Sequence, residues 1–167
     1  MKNLMTSYIN LMDRVNKLLY YFSGVLLISM SVIIIYQVFS RFVLEASLPW
    51  SEELTRYLMI WAVFIGASLA LRNGALIGVE AIAEAMPNSI KKAMKISVSL
   101  FSMIFFGFLI FIGLDIVEGV SVQTSPAMHI PMSWAYAAIP VGSLFMLLNS
   151  ITVIFELIMN KEREAAH

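Results

Sequence analysis

The residues best equipped for chemistry stand together at Glu52, Glu53 and Arg56. On a helix Arg56 lies three residues from Glu53 and four from Glu52, so ion pairs to both are geometrically natural. Three uses fit such a cluster. The acids can suit the positive end of a helix and be neutralised by their own arginine. The cluster can dock a partner protein at the outer membrane surface. Or it can relay a proton or ion, because charge inside an apolar segment is costly and often functional. A relay needs a matching acid in the middle of another apolar helix, and the sequence supplies none.

Other chemistry is thin. With no cysteine there is no disulfide, thiolate metal site or cysteine nucleophile. Two histidines, His129 and His167, are too few for a histidine-rich metal site. His129, alone in a proline-bounded segment, reads as a surface or hydrogen-bonded side chain. Zero net charge leaves no footprint for nucleic acid. No nucleophile stands beside a base, and no glycine-rich loop could cradle a phosphate. The expectation is a protein that is not an enzyme and carries no cofactor.

The elements that must position these residues are set by hydropathy. The chain has 167 residues, of which 60% are hydrophobic and 13% charged, against about 45–50% and about 25% in soluble domains. A soluble fold this small could not hide that much apolar surface. The predicted architecture is an all-α integral membrane protein with four transmembrane helices and interfacial amphipathic helices. Residues 1–17 alternate apolar and polar side chains at three- and four-residue steps, which predicts an amphipathic helix in the membrane interface. The membrane domain, 18–158, then holds spans at about 18–39, 51–72, 96–114 and 131–155. The first, about 33 Å long at 1.5 Å per residue, matches a hydrocarbon core of about 30 Å. It lacks a small-residue cleavage site and reads as a retained anchor. Ser51 is placed to cap the second span, and Arg72-Asn73-Gly74 to end it. A short acidic amphipathic piece, about 76–86, stops at Pro87, and packing against protein suits it better than anionic lipid. Asp115 and Glu118 close the third span. Pro140 should kink the fourth by freeing the Tyr136 carbonyl. Residues 159–167 form a polar tail.

Small residues recur every four positions: Ala62, Gly66 and Ala70 in the second span, Ala138 and Gly142 in the fourth. Such stripes let helix backbones approach closely in lipid. Nine lysines and arginines fall in the two termini and the loop between spans two and three, and only Arg41 and Arg56 on the other side. By the positive-inside rule both termini face the cytoplasm, with Trp50 and Trp134 near the outer interface.

Two motif runs are recognisable. The first is Trp50-Ser51-Glu52-Glu53-Leu54-Thr55-Arg56-Tyr57, then Trp61, Gly66-Ala67 and Leu71-Arg72-Asn73-Gly74. The second is Gln123-Thr124-Ser125-Pro126, Ile130-Pro131, Trp134-Ala135-Tyr136 and Ile139-Pro140-Val141-Gly142. Together they resemble the DctQ-type small membrane subunit of tripartite ATP-independent periplasmic (TRAP) transporters, over about residues 15 to 158. Ala75-Leu76-Ile77 stands where many members carry a histidine.

The resemblance implies a non-catalytic small subunit of a sodium-coupled transporter for an organic acid, such as a dicarboxylate or sialic acid, in the bacterial inner membrane. Its implied partners are a large multi-helix permease subunit of elevator type, which it scaffolds, a periplasmic substrate-binding protein, and membrane lipids. The candidate partner-interface residues are Trp50, Glu52, Glu53, Arg56, Trp61, Gly66, Ala70, Arg72, Pro140 and Gly142. Two other readings fit less well. A self-sufficient small transporter would need a midmembrane acid. An anchor subunit for a haem or quinone enzyme would need paired histidines within helices.

Overall fold

The computed structural model describes residues 2–72 and 88–164. Among the described residues five helices carry the fold: α1 Lys2–Val43, α2 Pro49–Arg72, α3 Asn88–Gly119, the single turn α4 Ser133–Tyr136, and α5 Ala138–Glu164. Four segments within them are long and apolar enough to cross a membrane: Leu4–Val43, Pro49–Arg72, Met94–Gly119 and Ser133–Ile158. The expected interfacial piece at 76–86 lies outside the described residues.

Helix ends follow chain-breaking residues rather than the limits of the apolar runs. The expected boundary at 17/18 is absent, because α1 runs unbroken from Lys2 to Val43. It stops where Glu45 takes a left-handed φ of 52°. There the Ala46 N–H reaches the Ser40 carbonyl at 3.1 Å, and the Ser40 hydroxyl donates to the Ala46 carbonyl at 3.0 Å. α3 starts at Asn88, eight residues before the expected apolar start, and ends at Gly119 beyond Asp115 and Glu118. α5 continues through Lys161-Glu162-Arg163 to Glu164 where a tail was expected; Lys, Glu and Arg are good helix formers and no breaker intervenes.

One capping expectation is corrected. α2 begins at Pro49, whose missing N–H costs nothing in a first turn. Ser51 therefore lies inside the helix, its hydroxyl donating to the Leu48 carbonyl at 2.7 Å. The interruption expected of Pro140 is present: the fourth span, Ser133–Ile158, breaks at Ala137 between α4 and α5, beside the Tyr136 carbonyl that a proline at 140 cannot bond.

The helices pack in a row, α1 beside α2, α2 beside α5, α5 beside α3, with α1 also crossing α5. Among the described residues α3 meets neither α1 nor α2. α5 is thus the central helix and the array stays open. Leu19, Leu26 and Ile65 bury an apolar seam between α1 and α2, joined by Leu58, Trp61 and Phe145.

Most other buried positions are small or polar: Asn16, Ser68, Ser99, Ser143, Asn149, Ser150 and Thr152. The large apolar side chains, including Phe101, Phe105, Phe108 and Phe111 of α3, point outward. This inverts a soluble core. In lipid, apolar burial drives little, and close packing with interhelical hydrogen bonds takes over.

Among the described glycines the tightest site is Gly142, where an added Cβ would stand 2.5 Å from Cβ of Phe64. Gly142→Ala is expected to push α5 off α2 and lower stability by about 1–3 kcal/mol, the usual range for overpacking. Gly66→Ala, whose added Cβ meets nothing within 4 Å, is the matched control. Thermal unfolding in detergent compares the two.

Candidate functional site

Two polar clusters tie the row together, one at each end. At the loop end, helix geometry carries Glu53 to the inward side of α2, where it is 7% exposed. One carboxylate oxygen accepts the N–H groups of Ala127 and Met128, both at 3.0 Å. The other accepts the Tyr57 hydroxyl at 2.9 Å. Glu53 thus clasps the α3–α4 loop. That loop is closed on itself by the Ser125 N–H to the Ile130 carbonyl at 2.9 Å, and the His129 N–H to the Ser125 carbonyl at 3.1 Å. His129 makes the turn at φ 56°. Trp61 Nε1 donates to the Trp134 carbonyl at 3.0 Å, tying α2 to α4.

Among the described residues Arg56 pairs only with Glu52, Nη2 to Oε1 at 3.2 Å, and both side chains are about two-thirds exposed. The expected Arg56–Glu53 pair does not form, because Glu53 faces the loop instead. Glu53→Gln is expected to loosen the loop: its one oxygen can keep the two backbone donors, but its NH₂ cannot accept the Tyr57 hydroxyl and the charge that strengthens these bonds is gone. Faster proteolysis between residues 120 and 132 in the variant would show it, and an unchanged cleavage rate would remove the clasp from the account.

At the opposite end Arg72 is the centre. Its Nη2 reaches Asp13 Oδ1 at 2.7 Å and Nε reaches the same oxygen at 3.2 Å. Its Nη1 and Nη2 fork onto the Glu156 carboxylate at 2.9 and 2.7 Å. One guanidinium, 15% exposed, therefore joins α1, α2 and α5, using the planar fork that lysine lacks.

Inward from this triad lies a buried amide pair. Asn16 Nδ2 donates to Asn149 Oδ1 at 2.7 Å and to the Met12 carbonyl at 2.8 Å. Asn149 Nδ2 returns a bond to Asn16 Oδ1 at 2.9 Å and adds one to the Ser68 carbonyl at 2.9 Å. α1, α2 and α5 are pinned a second time.

The other candidate residues divide. Pro140 packs on Gly113, whose added Cβ would meet its Cδ at 2.9 Å, and Gly142 packs on Phe64. Trp50 and Ala70 are exposed, and Gly66 faces open space. Among the described residues the α2 stripe thus seats no neighbour beyond Ala62, which joins the α1 seam. Sequence reasoning missed Asp13, Asn16, Asn149, Ser68 and Glu156. A buried asparagine in an uncharged membrane stretch was the available signal, because such amides seek interhelical partners. Among the described residues no three His, Asp or Glu side chains converge on a metal position.

Residues 30–160 match the DctQ component of tripartite ATP-independent periplasmic transporters. The chain belongs to this family. It is therefore a TRAP small permease subunit and a multi-pass membrane protein, a transport component rather than a catalyst. It is 31% identical over 139 residues to the ectoine TRAP transporter small permease protein TeaB of Halomonas elongata, covering 82% of this chain and 69% of that one. It is 22% identical over 132 residues to the sialic acid TRAP transporter small permease protein SiaQ of Vibrio cholerae, covering 79% and 76%. It is also 29% identical over 140 residues to the sialic acid TRAP transporter permease protein SiaT of Haemophilus influenzae, covering 84% of this chain. There the match spans only 23% of the longer protein, so the unit described here is also found as a minor part of a larger permease chain.

Proposed function

We propose that this subunit scaffolds the large, elevator-type permease subunit of a sodium-coupled TRAP transporter for an organic acid. It sits in the bacterial inner membrane with both termini in the cytoplasm. The transporter receives substrate from a periplasmic binding protein. The observation that carries this reading is where the polar side chains go. Asp13, Arg72, Glu156, Asn16 and Asn149 bond to the chain's own helices, and what results is a pinned, open row rather than a polar pathway. A row with uncovered apolar sides suits a wall against which another membrane protein stands. The relatives' substrates, sialic acid and ectoine, support the substrate class.

Co-expression with the large permease subunit tests the role. The two chains are expected to purify together and to take up substrate in proteoliposomes only together with a sodium gradient. Transport by this chain alone would sink the idea.

The exposed Glu52–Arg56 pair is free to meet a partner. An exposed pair of this kind contributes at most about 0.5 kcal/mol to the fold. Arg56→Ala is therefore expected to leave insertion and unfolding temperature unchanged while lowering complex yield or uptake. Unchanged yield and uptake would remove the docking role.

A further inference from the structure

We propose that the first third of α1 is a seat on the membrane surface, reading anionic lipid headgroups through Arg14 and Lys17. Two geometric observations carry it. First, this segment slants across α5 rather than running strictly alongside it. Asn16 meets Asn149, and Tyr8 lies eight residues earlier, about 12 Å along the helix. Antiparallel helices lying side by side would bring Tyr8 to the level of Leu157. Its ring packs edge-on against Phe155, close to that level, at 5.5 Å, but its hydroxyl reaches well past it to donate to the Leu148 carbonyl at 3.1 Å. The first turns of α1 therefore lie across α5 near the level of the Asp13–Arg72–Glu156 triad, where the protein turns polar.

Second, at about 100° per residue the segment has three arcs in a fixed order. Met12, Asn16 and Leu19 face the bundle and are buried. Next come Leu4, Leu11 and Leu18, seven residues apart and 77%, 58% and 70% exposed. Then come Ser7, Arg14, Asn10 and Lys17, all exposed. Asp13, the acid of this stretch, is turned aside to Arg72. An apolar arc flanked by cations is what a helix at the headgroup boundary needs: leucines toward the acyl chains, cations at the phosphates. A protein partner would call for no such cationic margin beside the leucines.

The chain has no cysteine, so single-cysteine labelling tests this directly. Leu4→Cys, Leu11→Cys, Ser7→Cys and Asn10→Cys would each carry a spin label. The full chain is reconstituted in phosphatidylcholine vesicles with and without phosphatidylglycerol, alone and with the large permease subunit. Labels at 4 and 11 are expected to meet dissolved oxygen more than an aqueous relaxer, and labels at 7 and 10 the reverse. Adding Arg14→Gln and Lys17→Gln should move the label at 11 toward water in phosphatidylglycerol vesicles and leave it unmoved in pure phosphatidylcholine. Water access at all four positions would overturn the proposal. So would shielding of 4 and 11 that appears only with the large subunit present, or insensitivity of the label to the two cations. The test uses this chain's own membrane, so its failure is separate from failure of the scaffold role.

Discussion

Asn149→Leu is expected to separate α1 from α5 and to cost about 2–3 kcal/mol. The substitution removes the bond Asn149 accepts from Asn16 and those it donates to Asn16 and Ser68. Interhelical hydrogen bonds in membranes average only about 0.6 kcal/mol, with a maximum of about 1.7. The larger part of the loss comes from Asn16, whose buried amide is left incompletely paired at about 1–3 kcal/mol. That asymmetry gives the check. The double variant Asn16→Leu/Asn149→Leu removes both partners and should be more stable than the sum of the two single losses. Denaturation in mixed micelles measures the four proteins of the cycle, and strict additivity would show that the pair does not act as a unit.

Arg72→Ala should be comparably damaging, for a different reason. A fully buried ion pair broken by loss of one partner costs about 3–5 kcal/mol. Asp13 and Glu156 are 52% and 40% exposed, so water screens part of the loss, and about 2 kcal/mol is the expected value. Arg72→Lys should recover little of it. A lysine keeps the charge but cannot fork onto Glu156 while also holding Asp13. If the lysine variant unfolds at the wild-type temperature, geometry is irrelevant and only charge matters. Both variants should also lower the yield of complex with the large subunit, because the triad fixes three helices relative to one another.

The sequence made parts of this architecture legible and hid others. Apolar runs located the spans, since lipid demands long uncharged helices whatever the tertiary fold. They misjudged the ends. Lys17 stands just before an apolar run yet does not mark a helix start, and Lys161 to Glu164 follow one yet continue α5. Helices stop at breakers such as the left-handed Glu45, and hydropathy does not see breakers. The Glu52-Glu53-Arg56 cluster was visible as a motif, but its partition was not. Only the fold shows that Glu53 meets a loop 74 residues away while Arg56 meets solvent. Arg72 was read as a helix stop signal. Its partners Asp13 and Glu156 are 59 and 84 residues distant, and no local pattern joins them. Asn16 and Asn149 were the missed clue, because an amide is costly to bury unless hydrogen-bond partners answer it.

The order of helices in the row differs from their order in the chain, and this bears on how the subunit is made. During synthesis α1 and α2 emerge first and can zip together along the Leu19–Ile65 seam. α3 follows, but among the described residues it has no packing surface on either of them. Its span stays apart from them until Glu53 clasps the loop that follows it and α5, the last to arrive, slides in between α2 and α3. A chain that ends near residue 120, short of that loop, should therefore hold a closed α1–α2 hairpin and a detached α3, and assembly quality control has its longest opportunity in that interval.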